Sequence, residues 1–383
     1  MARPRGAAAG QRLAAGGLVI LVTGATGFVG RHVARRLLAA GRPVVALARG
    51  RDGVPGAERV AEAVGCTPGG ALLDVVEGDL ATREGIAGAE LGMLRERVET
   101  VIHCAGDTSF FPQAMTAFVA GHIDGPVALL RGLAGGRLSR WTQLSTAYVC
   151  GRRSGVVLEG EGDVGQTFHN LYERVKLDAE RALRAAAARA GIAITVLRPS
   201  IVVGAAPGTA GGAPANLFFG FIRLVAALRG LGDDVALRIV ARPRARFNVV
   251  PVEYVAAAVA ALAEDPRAAG ETGHLVVRDA PTQETTLAML TARLGLRGLS
   301  LVDAGEGRLR DPSPLEIGVA RMLSPYRDYL RQDLVFDDAT ACRLLSRSRI
   351  TRPVLAAGEV EALVDRALST ADARAPWLSG ARA

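Results

Sequence analysis

Apolar positions along the chain fall into short continuous runs that alternate with stretches of helical spacing. The first run, Leu18-Val19-Ile20-Leu21-Val22, is rich in β-branched residues and has the pattern of a strand buried on both faces. Three glycines interrupt it at Gly24, Gly27 and Gly30. Beyond them Val33, Leu37 and Leu38 recur at helical spacing, with Arg31, Arg35 and Arg36 between them. Comparable runs predict strands over 43–48, 72–76, 101–106 with its turn, 141–146 and 193–199. Residues 247–252 return to the sheet, and 274–277 read as a last short strand. Helical spacing covers part of 53–70, then 125–133, a long segment from Asn170 through Ala179, Leu183 and Ala187, and 253–262. Residues 217–228 form an apolar helix, either core or the lining of a substrate pocket. The Gly/Ala/Pro-rich stretch 205–214 reads as a mobile loop. From Thr282 onward the pattern is mostly helical, closing with an amphipathic helix over 355–368, and no internal repeat is present.

A buried strand, a glycine turn and an amphipathic helix together form the opening of a Rossmann unit. The turn must be tight, the backbone must approach a pyrophosphate, and the helix must lie close on the strand; phosphates then rest on free N–H groups at the helix N-terminus. Glycine is the residue that permits all three. The chain thus reads as α/β, a doubly wound parallel Rossmann sheet with a smaller, mostly helical C-terminal substrate-binding region. Residues 1–15 read as a disordered tail and 16–204 as the dinucleotide domain, completed by 247–278. Residues 205–246 and 279–383 make up the substrate region.

The ends of the predicted strands carry the candidate chemistry. A sheet that binds NAD usually offers an acid after its second strand, for the ribose hydroxyl. Here Ala48 is followed by Arg49 and Arg51, whose guanidinium groups suit a 2′-phosphate, which favours NADP(H); Asp52 lies past the strand end. Asp79 and Leu80 end the third strand, where a carboxylate can bond an adenine amino group or cap the next segment. Ala105 and Gly106 are small enough for a ribose to lie on the backbone. Ser145 and Thr146 put hydroxyls at a strand's carboxyl end, and Tyr172 and Lys176 stand one helical turn apart on one face.

Composition narrows the picture. Of 383 residues, 49% are hydrophobic, enough for a core, yet no apolar run reaches the ~20 residues of a membrane helix. The Arg/Ala/Gly-rich N-terminus lacks the spacer of a cleaved signal, so a cytoplasmic location is expected. Cys66, Cys104, Cys150 and Cys342 lie far apart without a CxxC pair, and the five histidines are scattered, so buried or semi-buried thiols and no metal site are expected. The net charge of +8 could suit an acidic partner, but the arginines are spread over the whole chain as a solvated surface. With only 4% aromatics and no compact basic cluster, nucleic acid is not an expected partner.

Taken together, several stretches resemble the extended short-chain dehydrogenase/reductase superfamily, and within it the branch of thioester and fatty acyl-CoA reductases (the male-sterility type). They are Thr23-Gly24-Ala25-Thr26-Gly27-Phe28-Val29-Gly30, His103-Cys104-Ala105-Gly106, Ser145-Thr146-Ala147-Tyr148-Val149, Asn170-Leu171-Tyr172-Glu173-Arg174-Val175-Lys176, Arg198-Pro199-Ser200-Ile201-Val202-Val203-Gly204 and Asn248-Val249-Val250-Pro251-Val252-Glu253-Tyr254-Val255. The Ser-Thr-Ala-Tyr-Val, Asn-x-Tyr-Glu and Val-Pro-Val stretches, with Phe336-Asp337-Asp338, carry the branch. The resemblance implies that Gly24, Thr26, Gly27, Phe28 and Val29 line the pyrophosphate turn and that Arg49 faces the 2′-phosphate. It sets Asp79 and Leu80 beside the adenine, and Ala105, Gly106, Pro199 and Ile201 along the cofactor. Thr146 would polarise the substrate carbonyl with Ser145 beside it, Tyr172 would donate the proton, and Lys176 would hold the nicotinamide ribose. Two positions depart from the family: His122 stands where Asn is usual, and Val175 where Ser is common.

A phenol titrates near ~10, and a neighbouring ammonium with an oxidised nicotinamide is expected to lower it. The resulting expectation is an NADPH-dependent reductase that takes an acyl thioester, on coenzyme A or an acyl-carrier protein, to an aldehyde or alcohol. The competing readings are an extended-family dehydrogenase or epimerase acting on a ketone, sterol-like or sugar substrate, and a non-catalytic NADP-binding regulator.

Overall fold

The computed structural model describes residues 18–66, 70–82, 85–204, 217–228, 234–303, 305, 309–354, 358–362 and 365. The expected tail over 1–15 and loop over 205–214 lie outside the described residues, as does much of the expected closing helix, of which 358–362 and 365 are helical. In chain order the strands are β1 Val19–Thr23, β2 Val44–Ala48, β3 Leu73–Asp79, β4 Gly85–Ile86, β5 Val98–His103, β6 Arg140–Leu144 and β7 Gly155–Val157, then β8 Ala193–Pro199, β9 Ile201–Val203, β10 Asp234–Ala241, β11 Val249–Pro251, β12 Thr272–Leu275, β13 Arg297–Asp303 and β14 Leu334–Phe336. The helices are α1 Phe28–Ala39, α2 Gly56–Val64, α3 Gly88–Arg97, α4 Met115–Val119, α5 Gly125–Leu133 and α6 Leu171–Ala190, then α7 Leu217–Leu228, α8 Val252–Glu264, α9 Gln283–Leu294, α10 Pro314–Met322, α11 Arg327–Arg331 and α12 Ala339–Leu345.

Eight strands form the main sheet in the order β12-β8-β6-β5-β1-β2-β3-β4, parallel throughout except for the β3–β4 pair. Side chains alternate across β1. Ile20 and Val22 join a core with Val33 and Leu37 of α1 and Val255 and Val259 of α8; Val19 and Leu21 join a second core with Leu129, Leu130 and Leu133 of α5 and Leu183 of α6. Both sheet faces are therefore covered, which is why the strands read as unbroken apolar runs. Strand order reverses between β1 and β5, and a ligand crevice forms at such a switch point, outside the carboxyl ends of the strands.

Two features depart from the pattern read in the sequence. The C-terminal region is mostly helical, as expected, but it also holds short strands that the pattern did not mark: β10 pairs with β13, and β14 pairs with β7. Residues 249–251 do not rejoin the main sheet but pair with β9, while β12 is the strand that extends the sheet at its edge.

Candidate active site

The glycine turn is shaped by contacts that leave no room for a side chain. Gly24 has φ +74°, and a Cβ on it would lie 2.6 Å from the Ala105 nitrogen; one on Gly30 would lie 2.1 Å from the Gly24 carbonyl oxygen. The Gly27 N–H donates to the Gly24 carbonyl at 2.8 Å and closes the turn. Helix α1 starts here with no side-chain cap and no acid in its first turn, so its N-terminal N–H groups and dipole face the crevice uncompensated. Arg31 folds back over the turn, donating from Nε to the Gly27 carbonyl (3.1 Å) and from Nη2 to the Thr26 carbonyl (2.7 Å), while its buried Nη1 has no hydrogen-bond partner. Phe28 and Val29 are half-buried at the start of α1.

At the neighbouring strand ends, exposed Arg49 pairs with Asp79 at 3.0 Å, so the two residues expected at the adenosine end of a cofactor touch each other. Asp79 also accepts from the Ala81 N–H at 2.9 Å, a turn contact ahead of strand β4 rather than the cap of a helix. Leu80 packs under the sheet with the α5 core. Pro199 ends β8 in register with Leu275, and half-buried Ile201 opens β9 opposite Val249.

The three groups expected at the reacting centre come together where β6 ends against α6. Lys176 is buried, and its Nζ donates to the Leu144 carbonyl at 2.7 Å. Burial lowers the Lys176 ammonium to about 8, against the smaller pull of Glu180 and Cys104 in the other direction. Two residues beyond Leu144, Thr146 opens a short turn and accepts from the Tyr148 N–H at 3.3 Å, a bond that does not use its own O–H. Ser145 faces the other way. It is buried, its hydroxyl donates to Glu180, and Glu180 holds Arg198 bidentately at 3.0 and 2.7 Å, so Ser145 belongs to a structural network behind the site. Tyr172 has no hydrogen-bond partner for its hydroxyl among the described residues. In the protein alone, burial raises the phenol, Glu173 raises it further, and the Lys176 ammonium is turned to Leu144; the lowering expected beside an oxidised nicotinamide belongs to the cofactor complex.

His122 sits in a single wide turn, Ala120–Asp124, between α4 and α5. Its Nδ1 donates to the Phe118 carbonyl at 2.8 Å, and its ring meets Tyr172 edge-on at 6.2 Å. Its buried Nε2 has no hydrogen-bond partner and lies 3.0 Å from where a Gly106 Cβ would be. Burial first, then the Lys176 charge, lowers His122 to about 4, so the ring is neutral and Nε2 presents a lone pair.

Phe110 lies in the 107–111 loop expected near the nicotinamide, but sequence reading missed its partners Tyr326 and Tyr329. Phe110 packs against Tyr172 at 6.4 Å and stacks on Tyr329 at 5.6 Å, with Tyr326 edge-on at 5.7 Å. Tyr329 donates its hydroxyl to Glu173 and accepts from Asn170 Nδ2 at 2.7 Å. Glu173, fully buried, also accepts from the His169 N–H at 2.9 Å. The C-terminal region thus grips the start of α6 beside Tyr172.

The residues present fit a dinucleotide: a cradle that any Cβ would fill, an uncapped helix end, and two buried nitrogens, Arg31 Nη1 and His122 Nε2, lacking partners along one crevice. The family profile described as male sterility protein, an NAD-binding domain, matches residues 22–259. The chain belongs to this family. It is accordingly an NAD(P)-dependent oxidoreductase of the extended short-chain dehydrogenase/reductase superfamily. Among curated relatives, the hybrid PKS-NRPS synthetase mycA of Thermothelomyces thermophilus is 31% identical over 264 residues, which is 63% of this chain and 6% of that protein. The chain therefore spans only a small part of that relative's length. Two solved structures share the fold. One is the terminal R domain of the myxalamid PKS-NRPS pathway (TM-score 0.73, 21% identity, 93% of this chain and 92% of that one). The other is a thiolation-reductase di-domain of an archaeal non-ribosomal peptide synthetase (TM-score 0.70, 17% identity, 92% and 75%). Among the described residues no helix is long and apolar enough to cross a membrane.

Proposed function

We propose that this family member is an NADPH-dependent reductase of acyl thioesters. The observation that carries the reading is the Lys176–Leu144 contact, which ties the helix face bearing Tyr172 to the strand end bearing Thr146. The likeness to a terminal R domain over more than nine-tenths of both chains supports the substrate class, and the thiolation-reductase di-domain supports delivery by a carrier. Arg49, exposed at the end of β2, supports NADP over NAD, because a guanidinium pairs with a 2′-phosphate better than with a bare ribose.

The dinucleotide, when bound, supplies the hydride. Thr146 donates to the thioester carbonyl oxygen, where negative charge develops as the carbon becomes tetrahedral. Tyr172, held protonated by burial and by Glu173, gives its proton to that oxygen. Lys176, fixed by Leu144, would hold the nicotinamide ribose when the cofactor is bound. Collapse of the hemithioacetal breaks the C–S bond and releases an aldehyde and a thiol; a second round gives an alcohol.

Replacing Tyr172 with Phe tests the assignment. The variant retains NADPH binding, read by fluorescence, and loses turnover by about 10²–10⁴-fold, the usual contribution of a positioned proton donor. Turnover at the wild-type rate would remove Tyr172 from the mechanism.

A further inference from the structure

Of the 46 lysines and arginines in the chain, Lys176 is the only lysine. A guanidinium keeps its charge at any working pH, whereas a lysine amine that sheds its proton is a nucleophile. The chain therefore offers an electrophile one side-chain amine, and that amine stands at the reacting centre.

Its surroundings favour the uncharged form. Lys176 lies one helical turn from Tyr172, and its Nζ meets the carbonyl of Leu144, two residues ahead of Thr146. Two extended residues span about 7 Å, so a carbonyl bonded by Thr146 is delivered to the neighbourhood of this nitrogen. The Leu144 contact is its one hydrogen bond among the described residues, and no carboxylate is dedicated to it. Glu180, whose charge favours the ammonium, is itself held by Arg198 at 3.0 and 2.7 Å and accepts from Ser145. The other titratable groups around it are neutral. Burial lowers His103 to about 3 and His122 to about 4, and it raises the Cys104 thiol to about 12 and the Tyr172 phenol as well. With the ammonium lowered to about 8, roughly 10% is free amine at pH 7, against less than ~0.1% for an ordinary lysine near ~10.4.

We propose that Lys176 of the cofactor-free chain is a covalent site for aldehydes, which it captures as an imine. The inference rests on the thioester reading, whose product is an aldehyde released beside this residue. The free amine adds to the aldehyde carbon. A C–N bond forms, the C–O bond breaks, and the oxygen leaves as water with both amine protons, so neither an oxidant nor a reductant is consumed. The reaction is opposed when a dinucleotide is bound, because Lys176 then donates to ribose hydroxyls and stays charged. An aldehyde left behind after the cofactor departs closes the site to the next cofactor, and hydrolysis of the imine reopens it.

The test supplies octanal to the full chain at pH 7 with cyanoborohydride, which reduces the imine to a stable secondary amine. Intact mass and peptide mapping read the result. One octyl group is expected on Lys176, formed about tenfold or more faster in the folded chain than in the chain unfolded in guanidinium chloride, since the folded amine is the more often free. Saturating NADP+ slows the labelling by about tenfold or more. The labelled chain loses NADPH binding, read by fluorescence, and Lys176→Arg takes the label only at its α-amino group. Labelling of Lys176 no faster in the folded chain than in the unfolded one, or a wild-type label confined to the α-amino group, overturns the proposal. Because the aldehyde is added and not made, the two readings separate. An adduct on Lys176 without turnover of any thioester removes the activity and leaves the site standing; thiol released with NADPH oxidation but no adduct removes the site alone.

Discussion

The Tyr329 hydroxyl donates to the carboxylate of Glu173, the residue that follows Tyr172. The two are far apart in the chain, and their contact fastens the C-terminal region to the first turn of α6. Glu173 is fully buried and is met by the His169 N–H at 2.9 Å and by its Nδ1 at 3.0 and 3.1 Å, so the Tyr329 hydroxyl is one of few donors and its loss weakens the satisfaction of a buried carboxylate. Tyr329→Phe keeps the ring stacked on Phe110 and removes only the hydroxyl. The variant is expected to lose about 1–3 kcal/mol of stability in urea unfolding, the cost of an unsatisfied buried acceptor. Its kcat falls while NADPH affinity is retained, because Tyr172 shifts and the glycine turn does not. Wild-type stability would mean that Glu173 is satisfied by His169 and water alone.

Lys176 makes NADPH binding depend on pH in a definite direction. In the cofactor-free protein burial lowers its ammonium to about 8. Donating to ribose hydroxyls favours the charged form, so a bound cofactor raises that pKa. Binding then takes up a proton above pH 8. Affinity is flat below that value and weakens above it by at most about tenfold per pH unit, until the pKa of the complex is reached. Fluorescence titrations between pH 6 and 10 measure this, and Lys176→Met gives weak binding without the alkaline decline. A flat wild-type profile would separate Lys176 from the cofactor.

Arg49 tests the choice of cofactor. With Asp79 as its present partner, it can exchange a carboxylate for a phosphate at small cost, since the pair is exposed. Arg49→Ala is expected to lower the NADPH-to-NADH ratio of kcat/KM by about tenfold or more, the value of a charge-assisted phosphate contact. An unchanged ratio would place the selectivity elsewhere, with Arg31 and Arg51 the next residues to replace.

Much of this architecture was legible in the sequence, for identifiable reasons. The strands of the main sheet lie between two helical layers, so apolar runs such as Val19–Val22 stand out whichever face is considered. The glycine turn announced itself because Gly24 and Gly30 sit where no other residue fits. Strand β13 escaped because most of its side chains are exposed or half-buried, and Arg297, Gly298 and Ser300 break the run. Ser145 looked like a partner of Thr146, but adjacent residues point to opposite sides, and only the fold reveals Glu180 waiting behind. Tyr326 and Tyr329 belong to no motif. Their roles come from long-range packing that neither spacing nor composition encodes. Burial raises the Tyr172 phenol in the protein alone, a contribution of depth that the sequence does not display.

The most direct test of the central claim follows NADPH oxidation and free thiol together, in one reaction, across a panel of acyl thioesters on coenzyme A and on a carrier protein. The account predicts thiol released in step with NADPH consumed: one per NADPH when the product is an aldehyde, and one per two when it is an alcohol. NADPH consumed on ketones or sugars, with no thiol from any thioester, would contradict it.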